Sequence, residues 1–517
     1  MTSTNSSHKR IAKVSSDNAA IGFDLLSSMT YMSVLSIADL PRDNVLEECG
    51  RQNSKTSVFF EYVHRLVKRM GMEYTQAFQL VSERARPDNV KSLLLRFSAS
   101  ISSGESEKEF IVQETKAESE RYKNEYEKSI ENLRKWTDAY AAILISVTLI
   151  MVVSLVSSMM GSIAQSFVTI MAFAVFFITT VGVFVIYKSA PMERITFDRK
   201  EYTTKSRRLA RLLLMTLVPL GIVVAMLVAP RFGLVGGASV AFFLIGLSLA
   251  PTGYLAWRDS ARVTKLDSEL PTFVRSLGNV AGSTGFTITQ ALTKIDTKSM
   301  GSLMSYINPL NTRLAARLPV KSCWDRFRDE TGSELANRTT KMLVEGTELG
   351  GEADKVGLIC SDYAQTVTQL RAKLYLTSST FSFLTIPMHA TTTFILVFVL
   401  HIITGFNQRL SSVDLGDASA TPQDALAGSG QAAQVSGLSD PSGVTEGISI
   451  FQNQDLSGVT VIIVLVIVIL TVANALAPKF AGGGSNLMVA SYLSIMCLIS
   501  AGVLGVVPAV TAGIFSA

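Results

Sequence analysis

Residues 105–160 read ESEKEFIVQETKAESERYKNEYEKSIENLRKWTDAYAAILISVTLIMVVSLVSSMM. The first half is charged, the second half is apolar, and neither Gly nor Pro interrupts the run. A helix suits such a stretch, because no breaker is present and a helix closes its own hydrogen bonds in water or in lipid. Unbroken, the stretch makes a rod on the order of 80 Å long at ~1.5 Å per residue. The alternative is a loop near Trp136–Ala139, since Trp and Tyr gather at membrane interfaces in either case.

The apolar half is one of seven such runs, at 139–160, 164–187, 209–229, 233–257, 378–404, 457–477 and 486–510. About 20 apolar residues cross a ~30 Å hydrocarbon core. The chain has 517 residues, 48% hydrophobic and 17% charged, where soluble domains carry roughly 25% charged residues. The expected class is therefore an all-α, polytopic membrane protein with seven spans. Segment 188–211 holds eight Lys and Arg, whereas 405–456 holds Arg409 alone against six acids. Basic flanks stay inside, so the N-terminus is expected in the cytoplasm and the C-terminus outside the plasma membrane. No apolar segment follows the basic start, so no cleaved signal is expected. The four cysteines are scattered, which indicates neither a disulfide framework nor a zinc site.

Two polar regions, 1–138 and 258–377, each lead into a span, and they echo one another. Leu266, Leu270, Phe273, Val274 and Leu277 form one helical stripe, which Gly285 ends before Thr287 caps "TITQAL". Phe23, Leu26, Met29 and Met32 repeat that stripe, and "DLPRDNVL" follows with Asp39 as cap and Pro41 in the first turn. Later, Gly104-Glu105-Ser106-Glu107-Lys108 matches Gly351-Glu352-Ala353-Asp354-Lys355, 247 positions on. The domain plan is thus a helical domain at 1–138, spans at 139–187, a basic loop at 188–208 and spans at 209–257. A second helical domain at 258–377 follows, then a span at 378–404, an external flexible loop at 405–456, spans at 457–510 and an external C-terminus at 511–517. Gly357 and Pro387 predict a kinked strut in the second copy, against a stiff one in the first.

Catalytic signatures are missing. There is no phosphate loop, no His-Glu-x-x-His and no Gly-x-Ser-x-Gly. "AGGGSN" at 481–486 is glycine-rich, without a following Lys or a preceding strand. The chain is expected to be no enzyme, with no cofactor, metal or nucleic-acid partner. Within the spans His389 is the ionisable outlier, and Asn474 is a weaker polar one. His401 lies 12 residues beyond His389 and cannot share a metal with it on one helix. Gly236 and Gly237 belong to a small-residue packing face, and Pro387 and His389 mark a kink or packing site. Lys205, Arg207, Arg208 and Arg211 are candidates for docking an acidic protein or contacting the lipid bilayer.

"LDSELPTFVRSLGNVAGSTGFTITQAL" and "LVEGTELGGEADKVGLICSDYA" resemble the type II secretion system F domain family. The likeness is strong over about 110 residues of the second copy and weaker in the first, where "FDLLSS" replaces "LPTF". "IPMHATTTFILVFVLHIITGF" and the seven-span layout resemble the archaellum (archaeal flagellum) branch. The resemblance implies a motility platform protein for filament assembly. Its expected partners are a hexameric secretion or motor ATPase, filament subunits (archaellin or pilin), other motor-complex proteins and a second copy as homodimer. It also implies ATPase contact through Glu105, Glu107, Lys108, Glu352, Asp354 and Lys355, for which helix-start capping is the plainer account. An adhesion-pilus or secretion platform is the alternative within this class, and a transporter or receptor scaffold the alternative outside it.

Overall fold

A computed structural model describes residues 21–157, 164–191, 193–199, 203–295, 301–412 and 457–516. The expected external loop lies mostly outside the described residues. The first polar region forms α1 (Ile21–Ile37), α2 (Arg42–Gly50), α3 (Ser57–Met70), α4 (Tyr74–Arg84) and α5 (Asp88–Ser103). Then come α6 (Glu107–Ser157), α7 (Ala164–Ser189), α8 (Lys205–Val228) and α9 (Gly233–Thr284). The second polar region adds α10 (Ile288–Leu292), α11 (Met304–Ala315), α12 (Val320–Thr331) and α13 (Glu334–Glu348). The last three are α14 (Ala353–Ser412), α15 (Ser457–Gly482) and α16 (Met488–Ser516). Among the described residues there is no strand, and Thr196 forms an isolated bridge with Ser333.

The rod is unbroken. Helix α6 runs 51 residues through Trp136 without a loop. Helix α14 runs 60 residues and carries Pro387 inside it. Helix α9, 52 residues long, is a third strut, joining the 233–257 run to the stripe of the second copy.

Six helical runs are long and apolar enough to cross a membrane, against seven expected. The difference lies in 205–284, which counts as one run and holds both 209–229 and 233–257. Within it α8 and α9 fold back on each other. Gly233 takes a left-handed φ of +70° at the turn, and a Cβ on Gly221 would meet Ser248 at 2.6 Å.

The two copies share a constant offset, and it corrects the spacing read from the letters. Gly104 and Gly350, both left-handed, stand 246 positions apart, not 247. Each ends its helix in the same Schellman turn. Glu105 N–H donates to Ser100 O and Gly351 N–H to Gly346 O, at 3.3 and 2.9 Å. The same offset relates left-handed Asp39 to Gly285, and left-handed Gly71 to Arg317. It also relates the starts of α4, α5 and α6 to those of α12, α13 and α14. Asp39 is therefore the turn residue and not the cap, and Pro41 occupies the N-cap position.

The copies do not form separate bundles. Nearly every residue of α1 is buried, because it lies between α6 of its own copy and α13 and α14 of the other. Arg338 donates to Asp24 at 2.6 Å and stacks over Phe23, and Tyr31 donates to Glu345 at 2.8 Å. Thr115 and Ser361, at equivalent positions, donate to Met29 O and Pro271 O at 3.0 and 2.9 Å. Relative to the offset those acceptors differ by one helical turn, so α1 and α9 seat differently on their struts.

Glu118, in the charged half of α6, is buried at a cost. Burial pushes its carboxyl up to about 7, against the opposing pull of Arg121, whose guanidinium lies 3.2 Å away. A carboxyl raised in the fold holds its proton more tightly there than in the unfolded chain. Stability therefore falls as pH rises from about 4.5 through 7. Glu118→Gln is expected to flatten this dependence and raise the unfolding temperature at pH 8. Parallel thermal curves for both proteins at pH 5 and pH 8 would count against it.

Candidate functional site

The repeated phrase forms two exposed tips at one end of the polar domain. In the first, Glu107 pairs with Arg42 at 3.0 Å and Lys108 with Asp39 at 2.9 Å. Glu105 is exposed in the turn. In the second, Glu352 pairs with Lys355 at 2.7 Å. Asp354 packs against Gly282, where a Cβ would meet its own at 2.8 Å. The Glu352 carboxylate holds the Lys355 ammonium above its ordinary value, with Asp354 and Asp39 adding to it. By the offset, Ser106 and Glu352 are equivalent, and their carbonyls accept from Phe110 and Val356 at 2.9 Å each. Sequence matching missed Arg42 and Asp39 as tip partners. The offset, once known, points to Asp39 through Gly285.

The basic loop is held in place. Phe197 N–H donates to Gly332 O at 2.9 Å and Glu334 N–H to Ile195 O at 3.1 Å. Arg207 is buried, and donates to Asp259 at 2.6 Å, Asp198 at 3.0 Å, Phe197 O and Gly332 O. That corrects its assignment as a docking cation, since four acceptors already surround it. Arg211 is half-exposed and pairs with Asp198 at 2.6 Å. Lys205 and Arg208 are exposed. Further along, Arg371 of α14 links Glu193 of this loop to Asp267 of α9, and Asp267 also accepts from Ser333.

The apolar helices enclose one polar chain. Tyr140 Oη donates to Asn474 Oδ1 at 3.0 Å, and Asn474 Nδ2 donates to His389 Nδ1 at 3.1 Å. His389 Nε2 then donates to Ser500 Oγ at 2.9 Å, and Ser500 meets Thr471 at 2.9 Å. Thr471 donates onward to Ile467 O at 2.7 Å. Every donor points one way, which requires a neutral imidazole with its proton on Nε2. The chain ties α6, α14, α15 and α16 together where unpartnered polar groups are costly. Tyr140 lies against Gly182, where a Cβ would meet its ring at 2.6 Å. His401 stands apart, its Nδ1 on Val397 O. Gly237 packs on Ala229 O and Gly236 on Phe232, while Gly246 and Gly253 bring α9 close to α16. Thr391 donates to Pro387 O at 2.8 Å.

Among the described residues, no group of three His, Cys, Asp or Glu side chains is placed to hold a metal. All four cysteines are free and buried.

Over the described residues these features define an all-helical fold with six long apolar helical runs compatible with a membrane protein. The chain is similar to flagella accessory protein J of Methanococcus voltae, at 24% identity over 365 residues, 67% of this chain and 64% of that protein. It is likewise similar to flagella accessory protein J of Methanocaldococcus jannaschii, at 22% over 359 residues with the same coverage. The match therefore spans just under two thirds of the length of these relatives. No family model and no solved structure matches the chain.

Proposed function

We propose that the chain is the membrane platform of an archaeal type IV pilus-like machine, the archaellum. The observation that carries this reading is the similarity to two flagella accessory J proteins over 67% of the chain. The paired tips and the three long helices supply a physical route for the role. A hexameric ATPase docks on the tips, and α6, α9 and α14 carry its displacement into the apolar helices. Filament subunits and other motor proteins meet the platform there. In this reading α8 and α9 are two spans of seven, the tips face the cytoplasm and the chain acts as a homodimer. It hydrolyses nothing itself. Exposed Lys205 and Arg208 contact anionic lipid or the docked partner.

Glu352→Lys combined with Asp354→Lys tests the docking. A pull-down with the ATPase of the same motor is expected to lose at least about tenfold in capture, because both acids reverse sign. The helical circular dichroism should match that of the parent. Undiminished capture would remove the tips from the contact.

A further inference from the structure

A cavity of about 600 Å³ opens where the apolar helices meet the polar domain, between α9, α14 and the turn joining α15 to α16. Its position is set by sequence boundaries. Trp257 ends one apolar run, Ser378 begins another, and Gly482–Gly484 join the last two. One part of the wall is therefore aromatic and aliphatic, and the other is hydroxyl and cationic.

Two cations line it without a carboxylate of their own among the described residues. Lys479 is 8% exposed, and the partner of its ammonium is the neutral Asn486 Oδ1 at 3.1 Å. Its other close neighbour is the Phe480 ring. Lys265 reaches the same cavity from α9 and is exposed, and no described carboxylate forms an ion pair with it. Arg371 also lines the wall, but its charge is taken up by Glu193 and by Asp267, a carboxylate that lines the cavity too. A buried ammonium without a counter-ion is unfavourable, so an anion in the cavity would relieve it.

The glycine turn suits an anion of several oxygens. Gly483 and Gly484 both take left-handed φ values, +65° and +73°, and open space lies beside each. Backbone can approach a ligand closely there. Ser378, Ser379 and Ser382 line the same cavity, with their hydroxyls donating to the carbonyls of Tyr375, Leu376 and Ser378.

From this geometry we infer that the cavity binds a phosphate-bearing headgroup, with Lys479 and Lys265 on the phosphate and the apolar wall beside the lipid tails. Basic pockets between helices at the headgroup level recognise lipids in this way. The site is independent of the tips, and its test does not involve the ATPase.

Full-length protein in an uncharged detergent is titrated calorimetrically with three probes: dihexanoyl phosphatidylglycerol, inorganic phosphate and dihexanoylglycerol. Saturable binding of the first is expected, with the phosphate-free lipid at least about tenfold weaker. Lys479→Met and Lys265→Gln should each weaken it about tenfold or more. Lys265 is exposed, so its variant tests the site even if Lys479→Met fails to fold. Binding of inorganic phosphate alone would keep the phosphate site and reject the lipid as its source. Equal binding of phosphatidylglycerol by parent and Lys265→Gln, or of both lipids by the parent, would overturn the inference.

Discussion

Arg371→Met is expected to cost about 3–5 kcal/mol of stability, the range seen when one partner of a buried ion pair is removed. The guanidinium is the shared partner of Glu193 and Asp267, both nearly inaccessible to solvent. Methionine fills the volume but leaves two buried carboxylates facing each other. The deficit should depend on pH. Burial pushes Asp267, which lies beyond the apolar part of α9, up to about 6 even with Arg371 beside it. A carboxyl raised in the fold contributes less stability as pH climbs from about 4 through 6. Without Arg371 that loss grows, so the variant should be weakest at pH 8 and recover toward pH 5. Thermal unfolding in detergent at both values measures this. Arg371→Lys should fall between, since one ammonium cannot bond both carboxylates as the fork does. An equal deficit at both pH values would show that the charge pair is not the cause.

Gly278→Leu is expected to separate α9 from α14, at a cost of roughly 1–3 kcal/mol or more for overpacking. A Cβ at Gly278 would lie 2.7 Å from Ala353 O and 2.8 Å from Gly357 Cα. Both obstacles are backbone, so no rotamer change relieves them. Gly357→Ala meets the same wall from the other side, with Gly278 Cα at 2.8 Å. The two substitutions share one contact, and their effects should not add. Gly502→Ala is the control, since nothing lies within 4 Å of its Cβ position. There the change should be neutral or slightly stabilising. Retention of the parent unfolding temperature by Gly278→Leu would mean that the helices separate freely.

Gly357 illustrates what letters alone convey. As a sequence feature it reads as a helix breaker, yet it sits inside α14 because its missing side chain admits α9. The rod at 107–157 was legible because length, missing breakers and the charge-to-apolar switch all agree. The repeat was legible too, but one position out of register. "LGGE" offers two glycines, and only the left-handed Gly350 matches Gly104 in closing a helix. His389 and Asn474 stood out as polar residues in apolar runs. Tyr140, Thr471 and Ser500 did not, because hydroxyl side chains in helices commonly bond their own backbone. The Glu193–Arg371 pair joins residues 178 apart and leaves no periodic trace. Nor did the buried state of Arg207, one basic residue among several in its segment.

Helix α1 carries a consequence for how the molecule is made. It is the first described helix to leave the ribosome, and its contacts include residues 338, 345 and 363. More than 300 residues must follow before those partners exist. Until then Phe23, Tyr31 and Val34 have only half of their surroundings, and the nascent chain holds an apolar helix awaiting its second side. Such late closure slows folding and exposes sticky surface. Biogenesis of the polar domain therefore finishes with its oldest segment, which seals the two halves only after both have been synthesised.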